Sequence, residues 1–326
     1  MRYDDERRVA VDAVIRASQL CRAVRAGELS GASIEKQDKS PVTVADFGTQ
    51  AVISLALQQA YPNDPVMAEE RLSDLPSLLR DKVLQHVAII LPGLGNGEVL
   101  AAIDRCDYNE SGKERAWILD PVDGTKGFLR GDQYAIALAL IENGEVVLGI
   151  LGCPNLPLDI KQPEGPRGCL FIAVKGEGAV MRLMDDPLEQ EIAVSDVTDP
   201  ERASFCESYE STHSSHSDSA RIAQILNVVV PPIRIDSQCK YGIVARGDAS
   251  IYLRLPSKPG YEEKIWDHAA GWLIVKEAGG TVTDSLGRPL DFSTGRLLSK
   301  NKGIVASNGM IHSAVLSAIR EVLGSM

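Results

Sequence analysis

The chain of 326 residues is 44% hydrophobic and 24% charged, and its formal net charge is −11. This length and hydrophobic content are sufficient for two domains, or for one large domain, with an extensive core. General binding to nucleic acids or to anionic membranes depends on a basic surface, so the acidic charge argues against both kinds of partner.

The cysteines and the first residues indicate the cellular environment. Six cysteines are scattered along the chain without a Cys-x-x-Cys pair or the spacing of a zinc site, and we expect them to be reduced. The N-terminal segment is charged, and no apolar run is long enough to span a membrane. We therefore expect the cytoplasm or another soluble intracellular compartment, with no membrane partner.

The first part of the chain has mainly helical periodicity. Apolar residues recur at helical spacing in four segments, residues 5–26, 41–60, 75–87 and 98–105. Residues 30–40 are polar and are predicted to be irregular, and the glycine-rich residues 92–97 are predicted to form a mobile surface loop. Residues 65–68 resemble a short strand. This strand would carry Glu69 and Glu70 at its end.

Two hairpins are predicted in the middle of the chain. Residues 134–141 and 145–151 are apolar runs joined by Asn143-Gly144, which is the strongest short-range hairpin signal. Residues 169–174 and 178–183 form a second pair with glycines at the turn. Antiparallel strands between flanking helices are typical of a layered α+β domain.

The second half alternates more regularly between strands and helices. Strands are predicted at residues 203–206, 233–235, 250–255, 280–283 and 303–306, and helices at residues 218–226, 239–245, 265–278 and 310–323. Residues 154–166 and 184–200 are predicted connectors, with a domain boundary near Gln190. We therefore predict an α+β fold with an N-terminal α+β domain, residues 1–190, that contains an antiparallel sheet, and a smaller C-terminal α/β domain, residues 191–326.

Two carboxylates, Asp120 and Asp123, lie on either side of a Pro-Val pair at the end of an apolar run. The proline favours an extended Asp120 and Gly124 permits a tight turn, so both carboxylates and the Val122 carbonyl can converge. Oxygen ligands at a turn suit a hard cation such as Mg²⁺. Thr125 follows, where its hydroxyl could meet a phosphate or orient a water. Asp-Pro and Asp-Gly turns are also common without a ligand, so this stretch alone leaves a structural role open.

Two further acidic residues have a structural interpretation of their own. Asp46 fits a capping box with Thr43 at the start of the second helix. Asp267 lies in the segment Trp266-Asp267-His-Ala-Ala-Gly271, near the predicted start of an apolar helix, where the helix dipole alone would favour it. The small residues after it would permit close packing that brings Asp267 to the turn at Asp120.

Four motifs in this order together carry a resemblance to a known superfamily. They are Asp46 within Thr-Val-Ala-Asp, then Ala68-Glu69-Glu70, Asp120-Pro-Val-Asp-Gly-Thr125 and Trp266-Asp267-His-Ala-Ala-Gly271. The chain resembles the lithium-sensitive, Mg²⁺-dependent phosphomonoesterases that include inositol monophosphatase and fructose 1,6-bisphosphatase. Within that superfamily, the chain resembles the 3'(2'),5'-bisphosphate nucleotidases in residues 126–131, 213–216, 236–241 and 252–256. The resemblance covers nearly the whole chain and implies a layered αβαβα sandwich.

The resemblance implies a site for two or three Mg²⁺ ions. The implied metal ligands are Glu69, Asp120, the Val122 carbonyl, Asp123 and Asp267. Several carboxylates in one cleft would repel one another unless divalent cations lay between them. Glu70, beside the first ligand, is a candidate for contact through a water. Arg71 departs from the family pattern, which often has another acidic residue there.

Catalytic and substrate contacts are also implied by the resemblance. Asp46 and Thr125 would form the pair that orients the attacking water, with the Thr125 hydroxyl donating to Asp46. The implied substrate contacts are Gly124, Thr125, His213, Ser237, Lys240, Arg254 and Asp267. Lys240 and Arg254 match a second phosphate, although either cation alone is more often a solvated surface charge. A zinc site at His213 and His216 would need further ligands that do not accompany them.

The expected activity is Mg²⁺-dependent, Li⁺-sensitive removal of the 3'-phosphate from 3'-phosphoadenosine 5'-phosphate, and from its 5'-phosphosulfate relative, by a monomer in sulfate assimilation and nucleotide metabolism. An inositol monophosphate or polyphosphate phosphatase is the alternative within the same enzyme class. A non-catalytic, metal-dependent nucleotide sensor is the alternative from another class. The presence of both Asp46 and Thr125 argues against a sensor, because binding alone needs no pair that activates water.

Overall fold

The computed structural model describes residues 2–27, 33–35, 41–109, 115–209, 216–256 and 260–324. Within these residues the chain forms a two-stranded, a five-stranded and a seven-stranded sheet. Helices cover the outer faces of the two large sheets and fill the space between them. The predicted α+β fold with αβαβα layers is therefore confirmed.

The first layer consists of helices that precede most of the large sheet. They are α1 (Asp4–Ala26), α2 (Val44–Ala60), α3 (Ser77–Ile90) and α4 (Asn96–Asp104). The apolar stripe of α1 is buried against the sheet and α2, and α2 itself is almost wholly buried along its first eleven residues. Helix α4 begins inside the predicted 92–97 loop.

The entry to α2 differs from the prediction. Strands β1 (Ser33–Glu35) and β2 (Pro41–Thr43) pair antiparallel, so part of the predicted irregular segment is extended. The helix begins at Val44 because the backbone of Thr43 is extended, with φ −126° and ψ 169°, and its side chain caps the helix.

The seven-stranded sheet has the order β3-β4-β5-β6-β7-β8-β9, in which only β3 and β4 are parallel. The strands are β3 (Val66–Ala68), β4 (Arg115–Asp123), β5 (Ala135–Glu142), β6 (Glu145–Pro157), β7 (Arg167–Val174), β8 (Ala179–Leu183) and β9 (Gln190–Glu191). Both predicted hairpins are confirmed. Asn143 and Gly144 have φ of 51° and 77°, as the tight turn between twisted strands requires.

Two predicted connectors are partly strand. Residues 154–157 continue β6, and the pairing with β7 resumes at Pro157 after a register irregularity that accommodates the proline at 154. Residues 190–191 pair with β8 at the sheet edge. Short or irregular strand pairing leaves little periodicity in the sequence, so both segments resembled loops.

The five-stranded sheet has the order β11-β10-β12-β14-β13. Its strands are β10 (Phe205–Glu207), β11 (Ile233–Arg234), β12 (Ile251–Arg254), β13 (Thr281–Thr283) and β14 (Ile304–Ser307). Helices α7 (Cys239–Ala245) and α8 (Ala269–Glu277) lie between the two large sheets, while α6 (His216–Ile225) and α9 (His312–Gly324) cover the outer face. The boundary near Gln190 stays a prediction, and the buried side chains of α7 and α8 form one apolar cluster with both sheets.

The helix predicted for residues 265–278 is interrupted. Ile265–Asp267 form a 3₁₀ turn, and α8 begins at Ala269. His268 breaks the helix with φ −136°, and its buried ring is held by Glu263 and Tyr241. Asp267 therefore precedes α8 and does not lie in its first turn.

The six cysteines form no disulfide, in agreement with the predicted reduced state. All six cysteines are free and buried, and burial raises the pKa of Cys21 to about 12 and that of Cys106 to about 11. Among the described helices, none is both long enough and apolar enough to cross a membrane.

Candidate active site

The turn at the end of β4 is built on a strand irregularity. Asp120 pairs with Ala137 and Asp123 pairs with Ala135, so three steps along β4 match two steps along β5. Such a bulge re-aims side chains that would otherwise alternate between the two faces. Gly124 follows with φ 86°, a conformation that glycine adopts readily, and the short helix α5 (Thr125–Arg130) begins after it.

A cavity of about 320 Å³ opens at this turn, between the two large sheets. Its lining includes almost every predicted site residue within the described chain. These residues are Glu69, Asp120, Val122, Asp123, Gly124, Thr125, Ser237, Lys240, Arg254 and Asp267. The cavity thus combines the carboxylates of the first sheet with the cations of the second.

The carboxylates in this cavity are crowded. Burial, followed by the charge of Glu69 and then that of Asp123, raises the pKa of Asp120 well above its ordinary value. Burial and the charge of Asp267 raise the pKa of Asp123 to about 6, although Lys240 and Arg254 act in the opposite direction. Oxygen ligands whose charges repel one another are a donor set that a divalent cation fits, because the cation would compensate their charge.

Asp46 uses its two carboxylate oxygens differently. Oδ2 accepts hydrogen bonds from the backbone N–H of Thr43 at 2.7 Å and from its hydroxyl at 2.6 Å, which confirms the capping box. Oδ1 lies 3.3 Å from the hydroxyl of Thr125, which is also 3.2 Å from the Val122 carbonyl. The structural and the catalytic interpretation of Asp46 are therefore compatible.

Glu69 and Glu70 both follow β3 but lie in different surroundings. Glu69 lines the cavity, and its backbone N–H donates to the Leu119 carbonyl at 3.3 Å. Glu70 is buried, and the side chain of Gln50 binds both its backbone N–H and its carbonyl. Arg71 pairs with Asp107 at 3.1 Å, on a half-exposed surface.

Lys240 lies at the start of α7 and lines the cavity. Its ammonium donates to the Ser208 hydroxyl at 2.9 Å and lies 5.2 Å from the centre of the Tyr252 ring. Burial lowers the pKa of this lysine, while the charge of Asp123 opposes the change. Ser237 precedes it with φ 65° and lines the cavity as well.

Arg254 lies at the end of β12 between two carboxylates. Its Nε is 2.8 Å from Glu263 and its Nη2 is 2.8 Å from Asp267. Burial would lower the pKa of the guanidinium, but these two charges raise it well above its ordinary value. Glu263, Asp267 and His268 have ligand atoms close enough to share a metal, yet Arg254 already supplies a cation to two of them.

The sequence did not mark Gln238, which connects the two halves of the site. Its backbone N–H donates to Asp123 at 2.5 Å. Its side-chain Nε2 donates to the Trp266 carbonyl at 2.8 Å, and its Oε1 accepts from the Gly271 N–H at 3.2 Å. Glu263 was missed as well. Gln238 lies within the 236–241 stretch that carries the resemblance, so its neighbours were predicted and it was not, whereas no motif includes Glu263.

Two histidines cannot be placed in the site. The predicted substrate contact His213 lies outside the described residues. His216 is the first residue of α6, and its side chain lies outside the described part as well.

A model of the inositol monophosphatase family matches residues 3–323. The chain belongs to the inositol monophosphatase family. Members of this family use a divalent metal, which agrees with the crowded carboxylates at the β4 turn.

Curated relatives within the family match over almost their full length. The chain is 45% identical to a 3'(2'),5'-bisphosphate nucleotidase of Emericella nidulans, covering 99% of each protein. It is 43% identical to a protein of the same name in Schizosaccharomyces pombe, covering 99% of this chain and 97% of the relative. It is 46% identical to 3'(2'),5'-bisphosphate nucleotidase 1 of Arabidopsis thaliana, with 98% and 97% covered.

Solved structures of the family share the fold. An inositol monophosphatase of Thermotoga maritima aligns with a TM-score of 0.67 at 23% identity, over 98% of this chain and 99% of that one. CysQ from Bacteroides thetaiotaomicron aligns with a TM-score of 0.62 at 20% identity, over 94% and 97%. At these identities the likeness supports the αβαβα architecture alone.

Proposed function

We propose that this protein is a metal-dependent 3'(2'),5'-bisphosphate nucleotidase that removes the 3'-phosphate from 3'-phosphoadenosine 5'-phosphate and from its 5'-phosphosulfate relative. The observation that carries the proposal is a cavity that combines the four proposed carboxylate ligands and Thr125 with two cations, the buried Lys240 and the mostly buried Arg254. Relatives that bear the nucleotidase name are more than 40% identical over their full length. A bisphosphate needs positive charge at two places. The proposed metal site would supply it at one phosphate, and Lys240 and Arg254 would supply it at the other.

The carboxylate side of the cavity would hold Mg²⁺, with two or three ions in the working enzyme. Glu69, Asp120 and Asp123 would supply oxygens from the first sheet, together with the Val122 carbonyl, and Asp267 would supply one from the second. Bound metal would offset the charge of the 3'-phosphate and make the attacking water more acidic.

Asp46 and Thr125 would orient the water. The carboxylate of Asp46 accepts a hydrogen bond from the Thr125 hydroxyl, so a lone pair of that hydroxyl can accept a hydrogen bond from the attacking water and aim the water oxygen at phosphorus. As the water attacks, its proton would pass through the Thr125 hydroxyl to Asp46. The cap at Thr43 holds the other oxygen of Asp46 still. In-line attack would then break the bond between phosphorus and the 3'-oxygen, which would take a proton from a second water, yielding inorganic phosphate and AMP.

The cations would bind the rest of the nucleotide. Gly124 and Thr125 would contact the 3'-phosphate through the backbone, while Ser237, Lys240 and Arg254 would bind the 5'-phosphate. His213 is proposed as a further contact from its sequence position. All of these groups come from one chain, so we propose that a monomer is active.

Inhibition by Li⁺ is also expected. A monovalent ion that replaces a divalent one would stabilise the charge of the transition state less. Phosphate release at limiting Mg²⁺ should therefore fall as Li⁺ is added, and turnover that Li⁺ leaves undiminished would contradict the metal assignment.

The test is phosphate release with Mg²⁺ from 3'-phosphoadenosine 5'-phosphate, beside inositol 1-phosphate. We expect a strong preference for the nucleotide. A preference for the inositol ester would retain the metal chemistry and overturn the nucleotide assignment. Absence of turnover with both substrates would favour a protein that binds nucleotide without hydrolysing it.

A further inference from the structure

A chain of buried polar groups extends from Arg254 into the core, away from the cavity. Glu263 Oε2 lies 2.8 Å from Arg254 Nε and 3.1 Å from His268 Nε2. The other ring nitrogen of His268, Nδ1, lies 2.9 Å from the Tyr241 hydroxyl. Glu263 is 3% exposed and His268 and Tyr241 are fully buried.

The hydrogen-bond roles in this chain follow from the chemistry of its ends. An ionised carboxylate only accepts, so His268 Nε2 carries the hydrogen that points to Glu263. His268 Nδ1 in a neutral ring is then an acceptor, and the Tyr241 hydroxyl donates to it. The ring is thereby fixed in one orientation behind Glu263, and Glu263 is fixed behind Arg254.

We propose that Glu263, supported by His268 and Tyr241, is the positioning residue that sets the specificity of this enzyme for a substrate with two phosphates. The inference rests on the proposed nucleotidase function, and it assigns a role to residues that do not touch the substrate. Glu263 binds the Nε edge of Arg254, while Asp267 binds Nη2. The guanidinium is thus held at the cavity wall before substrate arrives.

A negative Glu263 would repel a phosphate, but we expect its effect on the position of Arg254 to contribute more to phosphate binding than this repulsion removes. A free arginine has several rotatable bonds, and a phosphate that binds it must immobilise them. Arg254 is mostly buried, with 13% of its side chain exposed, and two carboxylates share its charge. Without Glu263, the guanidinium would lose its anchor at Nε and would be held only through the Nη2 contact with Asp267. It could then rotate away from the position that the second phosphate needs, while Asp267 kept its own place.

The test compares two substrates that differ only in the second phosphate, adenosine 3',5'-bisphosphate and adenosine 3'-phosphate. For Glu263→Gln we expect KM for the bisphosphate to rise about tenfold, as loss of a charge-assisted hydrogen bond predicts. The values of kcat/KM for adenosine 3'-phosphate should stay within about twofold of wild type, since that substrate makes no use of the second-phosphate contact. Tyr241→Phe should raise the KM for the bisphosphate by about threefold.

Glu262→Gln is the matched control, because Glu262 is the exposed neighbour of Glu263. Glu262→Gln should leave KM and kcat/KM for both substrates at their wild-type values. An equal loss for both substrates in Glu263→Gln, or no loss for the bisphosphate, would overturn the inference. If Glu263→Gln does not fold, Tyr241→Phe decides in the same way.

Turnover of the two substrates by the wild-type enzyme distinguishes a failure of this inference from a failure of the proposed function on which it rests. Turnover of both substrates without preference for the bisphosphate would overturn the specificity role and leave the phosphatase assignment intact. No turnover of either would overturn the proposed function, and the inference with it.

Discussion

Asp46 is a helix-capping residue whose second oxygen is available for chemistry. The cap uses Oδ2 at 2.6–2.7 Å, and the contact with Thr125 uses Oδ1. Because the carboxylate is buried and fixed by Thr43, its orientation does not depend on substrate. The sequence pattern supported either role, and only the position of Thr125 in space shows that one side chain can perform both.

Replacing Asp46 with asparagine should therefore affect turnover far more than stability. We expect kcat for 3'-phosphoadenosine 5'-phosphate to fall about 100- to 10,000-fold, the range for loss of a general base. The free energy of unfolding should fall by only about 1 kcal/mol, as for other capping changes. Steady-state phosphate release and urea unfolding measure the two quantities.

Glu98→Gln provides the control for this substitution. Glu98 also caps a helix from its third position, through a 2.7 Å bond from the Gly95 N–H, but it is exposed and far from the cavity. The Glu98→Gln variant should lose a similar free energy of unfolding and keep the kcat of wild type. Wild-type kcat in Asp46→Asn would exclude Asp46 from the reaction.

Asp120 illustrates how a binding site costs stability. Its charge is buried beside Glu69 and Asp123, and all three repel one another. Asp120→Asn should raise the melting temperature without metal, because it removes one of the repelling charges. Mg²⁺ at 100 times its Kd should stabilise wild type by about 2.7 kcal/mol for each ion that binds independently.

The same addition of Mg²⁺ should stabilise Asp120→Asn much less. Thermal unfolding with and without Mg²⁺ measures the difference, and Asp81→Asn, an exposed carboxylate on α3, should behave like wild type. A metal-free Asp120→Asn protein that melts below metal-free wild type would contradict this account of the site.

At the scale of elements, the close approach of α7 and α8 brings Asp267, a proposed metal ligand, to the cavity. A Cβ on Gly271 would lie 2.3 Å from the Tyr241 ring, and one on Gly149 would lie 2.7 Å from the Ala270 carbonyl. Helix α8 thus packs tightly against both α7 and the first sheet. The small residues after Asp267 predicted this packing, whereas the interruption at His268 was not visible in the periodicity.

Gly271→Ala should be destabilising, by about 1–3 kcal/mol, since the ring of Tyr241 must shift to accept the methyl group. Gly97→Ala is the opposite case, because a Cβ at this position in α4 meets nothing within 4 Å. It should stabilise the protein slightly, by about 0.4–1 kcal/mol. Denaturant midpoints measure both, and a neutral Gly271→Ala would contradict the tight packing of α7 and α8.

At the scale of the whole molecule, the two sheets share one buried layer. Side chains of α7 and α8 belong to one apolar cluster with strands of both sheets. Arg296 adds a polar connection, since it donates to the Ala68 carbonyl at 2.6 Å and stacks 4.5 Å from the centre of the Trp266 ring. The side chain of Arg296 therefore links the segments that precede Glu69 and Asp267.

The protein should accordingly unfold in one transition, despite a length that allows two domains. Far-ultraviolet circular dichroism and tryptophan fluorescence should give coincident curves in urea, because neither sheet can lose its partner without exposing the shared layer. Two separated transitions would instead support independent domains divided near Gln190.

The sequence by itself determined most of the helices, the two hairpins, the capping box and the motif set that indicates the family. These features are local, because they depend on periodicity, turn residues and short spacing. Tertiary structure decided which carboxylates face one cavity, how Asp46 reaches Thr125, and where Arg254 finds Glu263. Those contacts join residues far apart in the chain, and their distances depend on how sheets and helices pack, which no local pattern specifies.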